Sequence, residues 1–149
     1  MKQKFIKRTT LFIVLSITLN VAFGQDADSA GNISSVTGKV YCMRSTGFQG
    51  FATAFTFFID DSIVCKLNNE RYSIHEVTPG IHKFSSQFGG KKSKEKAERI
   101  EIDVEAGKTY YIELIFQPGV LINNLYCQEV TENSAKGILA HLKQDTKCF

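Results

Sequence analysis

Residues 99–116, RIEIDVEAGKTYYIELIF, decide the fold. Ile100, Ile102 and Val104 alternate with Arg99, Glu101 and Asp103. This period of two marks a strand with one packed face and one wet face. Glu105-Ala106-Gly107-Lys108 turns the chain, and residues 109–116 then form the most strand-like segment of the sequence. It is rich in aromatic and β-branched residues, with Tyr110, Ile112, Leu114 and Phe116 on one face.

The same pattern extends outward in both directions. Upstream, residues 38–44 (GKVYCMR), 51–59 (FATAFTFFI), 62–67 (SIVCKL), 71–77 (RYSIHEV) and 81–88 (IHKFSSQF) read as strands. They are punctuated by Asp60-Asp61, Asn68-Asn69 and Thr78-Pro79-Gly80. Asn tolerates the left-handed backbone of a tight hairpin turn, and Pro-Gly fits a type II turn. Residues 89–96 (GGKKSKEK) are too polar to be buried and read as a mobile, solvated loop. Downstream, residues 125–131 are a last strand. Residues 132–143 then switch to helical spacing, with Ile138, Leu139 and Leu142 on one side. Such a short helix is expected to cover an open edge or end of the sheet. The sum is an all-β fold, an antiparallel β-sandwich of about seven strands with a short C-terminal helix. A partly open β-barrel is the alternative.

The N-terminus carries a different signal. Lys2, Lys4, Lys7 and Arg8 precede an apolar run ending in Val21-Ala22-Phe23-Gly24-Gln25. A basic segment, an apolar segment and small residues at a cleavage site make a secretory signal peptide, residues 1–24, cut near Gly24-Gln25. The run is too short and too often interrupted for a spanning helix, so no transmembrane span is expected after cleavage. No cysteine follows it, so lipid attachment is not indicated. Residues 25–36 are a flexible lead-in, and residues 37–149 a single domain. The leader also distorts the charge balance. The chain has 18 Lys+Arg against 15 Asp+Glu, but four of the cations and none of the acids fall in the leader. The mature chain is nearly neutral, and the electrostatic case for nucleic acid disappears.

Several motifs together carry a resemblance. They are Val40-Tyr41-Cys42-Met43-Arg44, Phe57-Phe58-Ile59-Asp60-Asp61 and Leu67-Asn68-Asn69-Glu70-Arg71-Tyr72, followed by Thr78-Pro79-Gly80-Ile81-His82-Lys83-Phe84 and Glu105-Ala106-Gly107-Lys108-Thr109-Tyr110-Tyr111-Ile112. In their order and spacing, residues 38–143 resemble DUF2846, a family of bacterial exported envelope domains of unknown function. The first strand departs from the family pattern, which usually has a second aromatic where Cys42 or Met43 stands. The resemblance implies an exported β-sandwich-like domain and supplies no catalytic residues.

The chemistry-bearing residues each have a structural reading beside a functional one. Cys42, Cys65, Cys127 and Cys148 permit two disulfides with three connectivities, against buried thiols. Cys148 in the tail is placed to tie the terminus back to the sheet. No CxxC and no His–Cys spacing points to a metal, and no cofactor motif is present. Cys65 with His75 or His82 is a conceivable nucleophile–base pair, though no elbow or oxyanion loop accompanies it. Asp60-Asp61 reads as a turn rather than half of a carboxylate pair, and the lysines of residues 91–96 as a solvated loop rather than an anion site. Phe48, Phe51, Phe55, Phe57 and Phe58 are too many for one inward face. Either both faces of that strand are covered, or Phe48, Phe51, Phe55 and Phe58 form a partner surface. The expected function is a non-enzymatic envelope module that binds or supports. The expected partner is an envelope protein or a glycan. An accessory protein docking through the Phe patch is the alternative, and a hydrolase a remote one.

Overall fold

The computed structural model describes residues 36–48 and 52–148. The expected leader, nearly all of the expected lead-in, and Phe51 lie outside the described residues. Eight full strands run in the order β1 (Gly38–Arg44), β2 (Phe55–Ile59), β3 (Ser62–Leu67), β4 (Arg71–Val77), β5 (Gly80–Phe88), β6 (Arg99–Val104), β7 (Thr109–Gln117) and β8 (Asn124–Val130). Helix α1 (Glu132–Leu139) and a two-residue β9 (Lys143–Gln144) follow. They build two packed sheets, β8-β7-β1-β4-β9 and β3-β2-β5-β6. This is a sandwich and not a closed barrel.

Alternation assigns the inner faces as the sequence predicts. Ile100, Ile102 and Val104 of β6 pack with Tyr110, Ile112, Leu114 and Phe116 of β7 in one core cluster. The β6–β7 turn carries the chain from one sheet to the other. So do the β3–β4 and β4–β5 connections, which makes Asn68-Asn69 part of a crossover rather than a hairpin. The left-handed residue there is Glu70 (φ 55°), while the Asn69 side chain accepts from the Thr46 amide (3.2 Å) and donates to the Gly47 carbonyl (2.7 Å). Asp60 and Asp61 are both left-handed, at φ 49° and 63°. They form the two-residue turn that the right-handed twist of a hairpin prefers. Two pairings are not antiparallel: β1 runs parallel to β7, with Lys39 opposite Thr109 and Met43 opposite Glu113, and the short β9 runs parallel to β4.

Both faces of β2 are covered. Phe55, Phe57 and Ile59 face the core, while Thr56 and Phe58 point to the outer side and are still buried. Their cover is residues 89–98, and here the expectation of a mobile, solvated loop is corrected. The Gln87 side chain donates to the Lys92 carbonyl (2.8 Å) and accepts from the Lys94 amide (3.1 Å). Ser93 meets Ser85, the neighbour of Phe58 across the β2–β5 ladder, at 2.9 Å. Arg99 donates to the Lys94 and Ala97 carbonyls. The strap docks because these side chains satisfy its backbone, while Lys91, Lys92, Lys94 and Lys96 keep their side chains in water.

Helix α1 starts at Thr131, whose side chain accepts from the Ser134 amide, the usual capping bond. It lies on the outer face of the first sheet, not over an edge or end as expected. Met43, Tyr41, Tyr72, Tyr111 and Val130 form an apolar outer face there, and Ala135, Ile138, Leu139 and Leu142 cover it. The edge is covered instead by the chain after the helix, where β9 pairs parallel with β4. No helix among the described residues is long and apolar enough to cross a membrane.

Candidate functional site

Three places gather groups with chemical potential. The first is the open side of the sandwich, where β3 faces β4 and a cleft is lined by Ile59, Val64, His75, Val77, Thr78 and His82. His82 sits in it with both ring nitrogens against acceptors. Nδ1 is 2.6 Å from Asp60 Oδ2, and Nε2 is 2.8 Å from the Thr78 carbonyl. Asp60 also accepts from the Lys83 amide at 2.9 Å. Burial alone would raise its carboxyl, but the Lys83 amide and His82 outweigh that and hold it below the usual aspartate value. Asp61 is clamped by Arg99, whose Nε and Nη2 both lie 2.9 Å from one carboxylate oxygen. The two acids therefore fasten their turn to β5 and β6. His75 faces inward, 2.8 Å from the Ser73 hydroxyl and beside the Phe57 ring, and burial pushes its pKa down.

The second place is the set of cysteines. Cys65 of β3 is bonded to Cys148 of the tail, with Cα atoms 4.5 Å apart, so of the three connectivities this one bond is made. Cys65 thus offers no thiol to pair with His75 or His82. Cys42 and Cys127 are free and buried. They point to the same core from β1 and β8, but β7 lies between these strands. Two strand spacings, about 9.5 Å, exceed what a disulfide spans. Burial pushes the Cys42 thiol well up and Cys127 up to about 12. A thiol held neutral in this way is a poor nucleophile.

The third place is the end of the sandwich where β1, β3, β5 and β7 finish and β2, β4 and β8 begin. Phe55, Phe88 and Phe116 plug it with ring centroids 5.0–5.8 Å apart. The guanidinium of fully buried Arg44 lies 3.5 Å over the Phe55 ring. Burial lowers it to about 10, so it stays charged at neutral pH. It donates to the carbonyls of Thr53 (2.7 Å) and Leu67 (2.6 Å), holding two of the end loops. Of the expected Phe surface, Phe55 and Phe58 are fully buried and belong to the core and to the floor under the strap. That part of the expectation is corrected, because β2 is an inner strand with cover on both faces. Phe48 stands out in solvent at 86 % exposure.

The same end displays residues that the sequence reading passed over. Val120, Leu121 and Ile122, at the tip between β7 and β8, are 103, 94 and 76 % exposed. Their signal was available. Three consecutive aliphatics between Pro118-Gly119 and Asn123-Asn124 are apolar residues in turn-like surroundings. Beside them a shallow cleft is lined by Phe88, Lys94, Lys96, Ile122, Asn124 and Leu125.

A family model for a protein of unknown function, DUF2846, matches residues 34–124. The chain belongs to the DUF2846 family. Among curated proteins the search finds no match. The family match runs from the lead-in to the first residue of β8, so the DUF2846 segment contains the aliphatic tip, the strap and Cys65. Helix α1, β9 and Cys148 lie beyond it. Among the described residues of this DUF2846 domain no cluster of three His, Cys, Asp or Glu is arranged to hold a metal.

Proposed function

We propose that this DUF2846 protein is an exported, non-enzymatic envelope module that works by binding, with the Phe48 and Val120–Ile122 end as its working surface. One observation carries the reading. The sandwich buries most of its apolar side chains, with Ile81 of β5 the most exposed on a strand, yet leaves three adjacent aliphatic residues largely in water at one loop tip. A patch of that kind on a soluble surface marks an interaction site. Export rests on the basic, apolar and small-residue pattern of residues 1–24. The non-enzymatic part rests on the roles of the candidate groups, since His82, Asp60 and Asp61 are engaged in fastening turns and Cys65 in a disulfide.

Two measurements test this. The intact mass of the protein recovered from the native host is expected to start at Gln25, and a mass starting at Met1 sinks export. Replacing Val120, Leu121 and Ile122 together by Ser is expected to reduce retention of the protein in a washed envelope fraction at least fivefold. Unchanged retention removes the working surface.

A further inference from the structure

We infer that the Val120-Leu121-Ile122 tip is a membrane-docking element that enters the interfacial layer of an anionic lipid bilayer, with Lys94 and Lys96 contacting the headgroups. This rests on the binding reading above and names the partner's chemistry. The shape favours a bilayer. Val120 and Leu121 sit at near-maximal exposure on a hairpin tip and Ile122 is largely exposed, so the tip projects outward, and only Ile122 borders the shallow cleft beside it. A protein partner would have to offer a matching concave pocket, whereas the headgroup–acyl boundary accepts a protruding apolar tip directly. The chemistry around the tip is graded in the same sense. Gln117, Asn123 and Asn124 flank the aliphatic residues, and their amides suit the headgroup level. Lys94 and Lys96 share a cleft with Ile122, so their ammonium groups lie beside the tip, where anionic lipid would be. Basic residues next to an apolar insertion are the usual combination for reversible attachment to such a surface.

The acidic groups of this end are Glu70, Glu95 and Glu98, of which only Glu98 lines the cleft with Ile122. Lys91 and Lys92 lie away from it, against the Asp60-Asp61 turn, and are not assigned to the contact. Phe48 leaves β1 at this end of the sandwich, where parallel β7 also finishes. It supplies a second apolar point at this end, against Asn68, Asn69, Glu70 and Arg71. The aromatic plug of Phe55, Phe88 and Phe116 and the Arg44 bonds make the platform beneath rigid, so docking requires no rearrangement of the sheets.

The test uses protein purified after export, its N-terminus established by intact mass, and sucrose-loaded vesicles of phosphatidylglycerol with phosphatidylethanolamine, against vesicles of phosphatidylcholine alone. The combined Val120→Ser, Leu121→Ser and Ile122→Ser variant is expected to partition at least tenfold more weakly than wild type into the anionic vesicles. Lys94→Gln with Lys96→Gln is expected to weaken binding several-fold and to flatten its salt dependence. Because the chain has no tryptophan, Leu121→Trp supplies a unique fluorophore. Its emission is expected to shift to the blue with anionic vesicles and to be quenched by brominated acyl chains. These positions are exposed, so the urea midpoint of each variant should match wild type. Emission that stays solvent-like, or a triple variant that partitions as wild type does, overturns the inference. So does a concentration-dependent dimer that the triple variant abolishes while vesicle binding is absent. If vesicles fail but retention in the envelope fraction still depends on the tip, the lipid assignment falls and the binding reading stands.

Discussion

Arg44, buried, and His75, half-buried, show how much of this molecule depends on single polar groups. Arg44 holds two loop carbonyls and stacks on Phe55. Arg44→Met keeps a long apolar stem but leaves the Thr53 and Leu67 carbonyls without that donor. It is expected to lower stability by about 2–4 kcal/mol, read from the urea midpoint. His75 is held neutral by burial, its folded pKa lying below the usual value. Its contribution is therefore fully present above about pH 6.5 and is lost as pH falls below that, because the unfolded chain takes the proton first. The wild-type urea midpoint should drop between pH 7.5 and 5.5, and that of His75→Gln should drop less. Asp60, also lowered, adds a loss of the same sign only below about pH 4. Neither the burial of Arg44 nor the half-burial of His75 was legible. Alternation places both on strands, but which strand faces them is a matter of layer packing that a single sequence does not state.

At the scale of elements, the strap over β2 has the clearest consequence. Gln87 alone satisfies both a donor and an acceptor of the strap backbone. Gln87→Ala is expected to cost about 1–2 kcal/mol and to speed hydrogen exchange at the Lys94 amide, with the amides of β7 unaffected. The strands themselves were legible: the bounds of β1, β3 and β4 follow directly from period-two patterns and turn residues. The outer faces were not. Residues 89–96 carry four lysines, and their composition describes side chains that do remain in water. It is silent about a backbone that lies on the sheet, whose partners, Gln87 and Arg99, belong to the flanking strands. The aliphatic tip was missed for the opposite reason: apolar residues are expected inside, and no periodicity marks those that stay out.

For the whole molecule, the tail joins the two layers. β9 extends the first sheet beside β4, and Cys148 is bonded to Cys65 in β3 of the second, across a sequence separation of 83. Closing a loop of that length restricts the unfolded chain enough to contribute about 4.5 kcal/mol in the chain-entropy account, an upper figure that native-state strain reduces. Cys148→Ser should therefore lower the unfolding free energy by about 2–4 kcal/mol. Under denaturing conditions without reductant, alkylation is expected to mark Cys42 and Cys127 and to spare Cys65 and Cys148. The sequence allowed three pairings, and only the interposed strand β7 explains why Cys42 and Cys127 remain thiols.

The parallel pairing of β1 with β7 has a kinetic meaning. The β2–β3 and β7–β8 hairpins close between neighbours in the chain and can form early. β1 sits between β4 and β7, both made after it, with Lys39 waiting for Thr109. The first strand to be synthesised is thus among the last to find its place. Pairings of that span raise the mean sequence separation of the contacts, which puts the domain among the millisecond-to-second folders, on the order of other non-local β topologies.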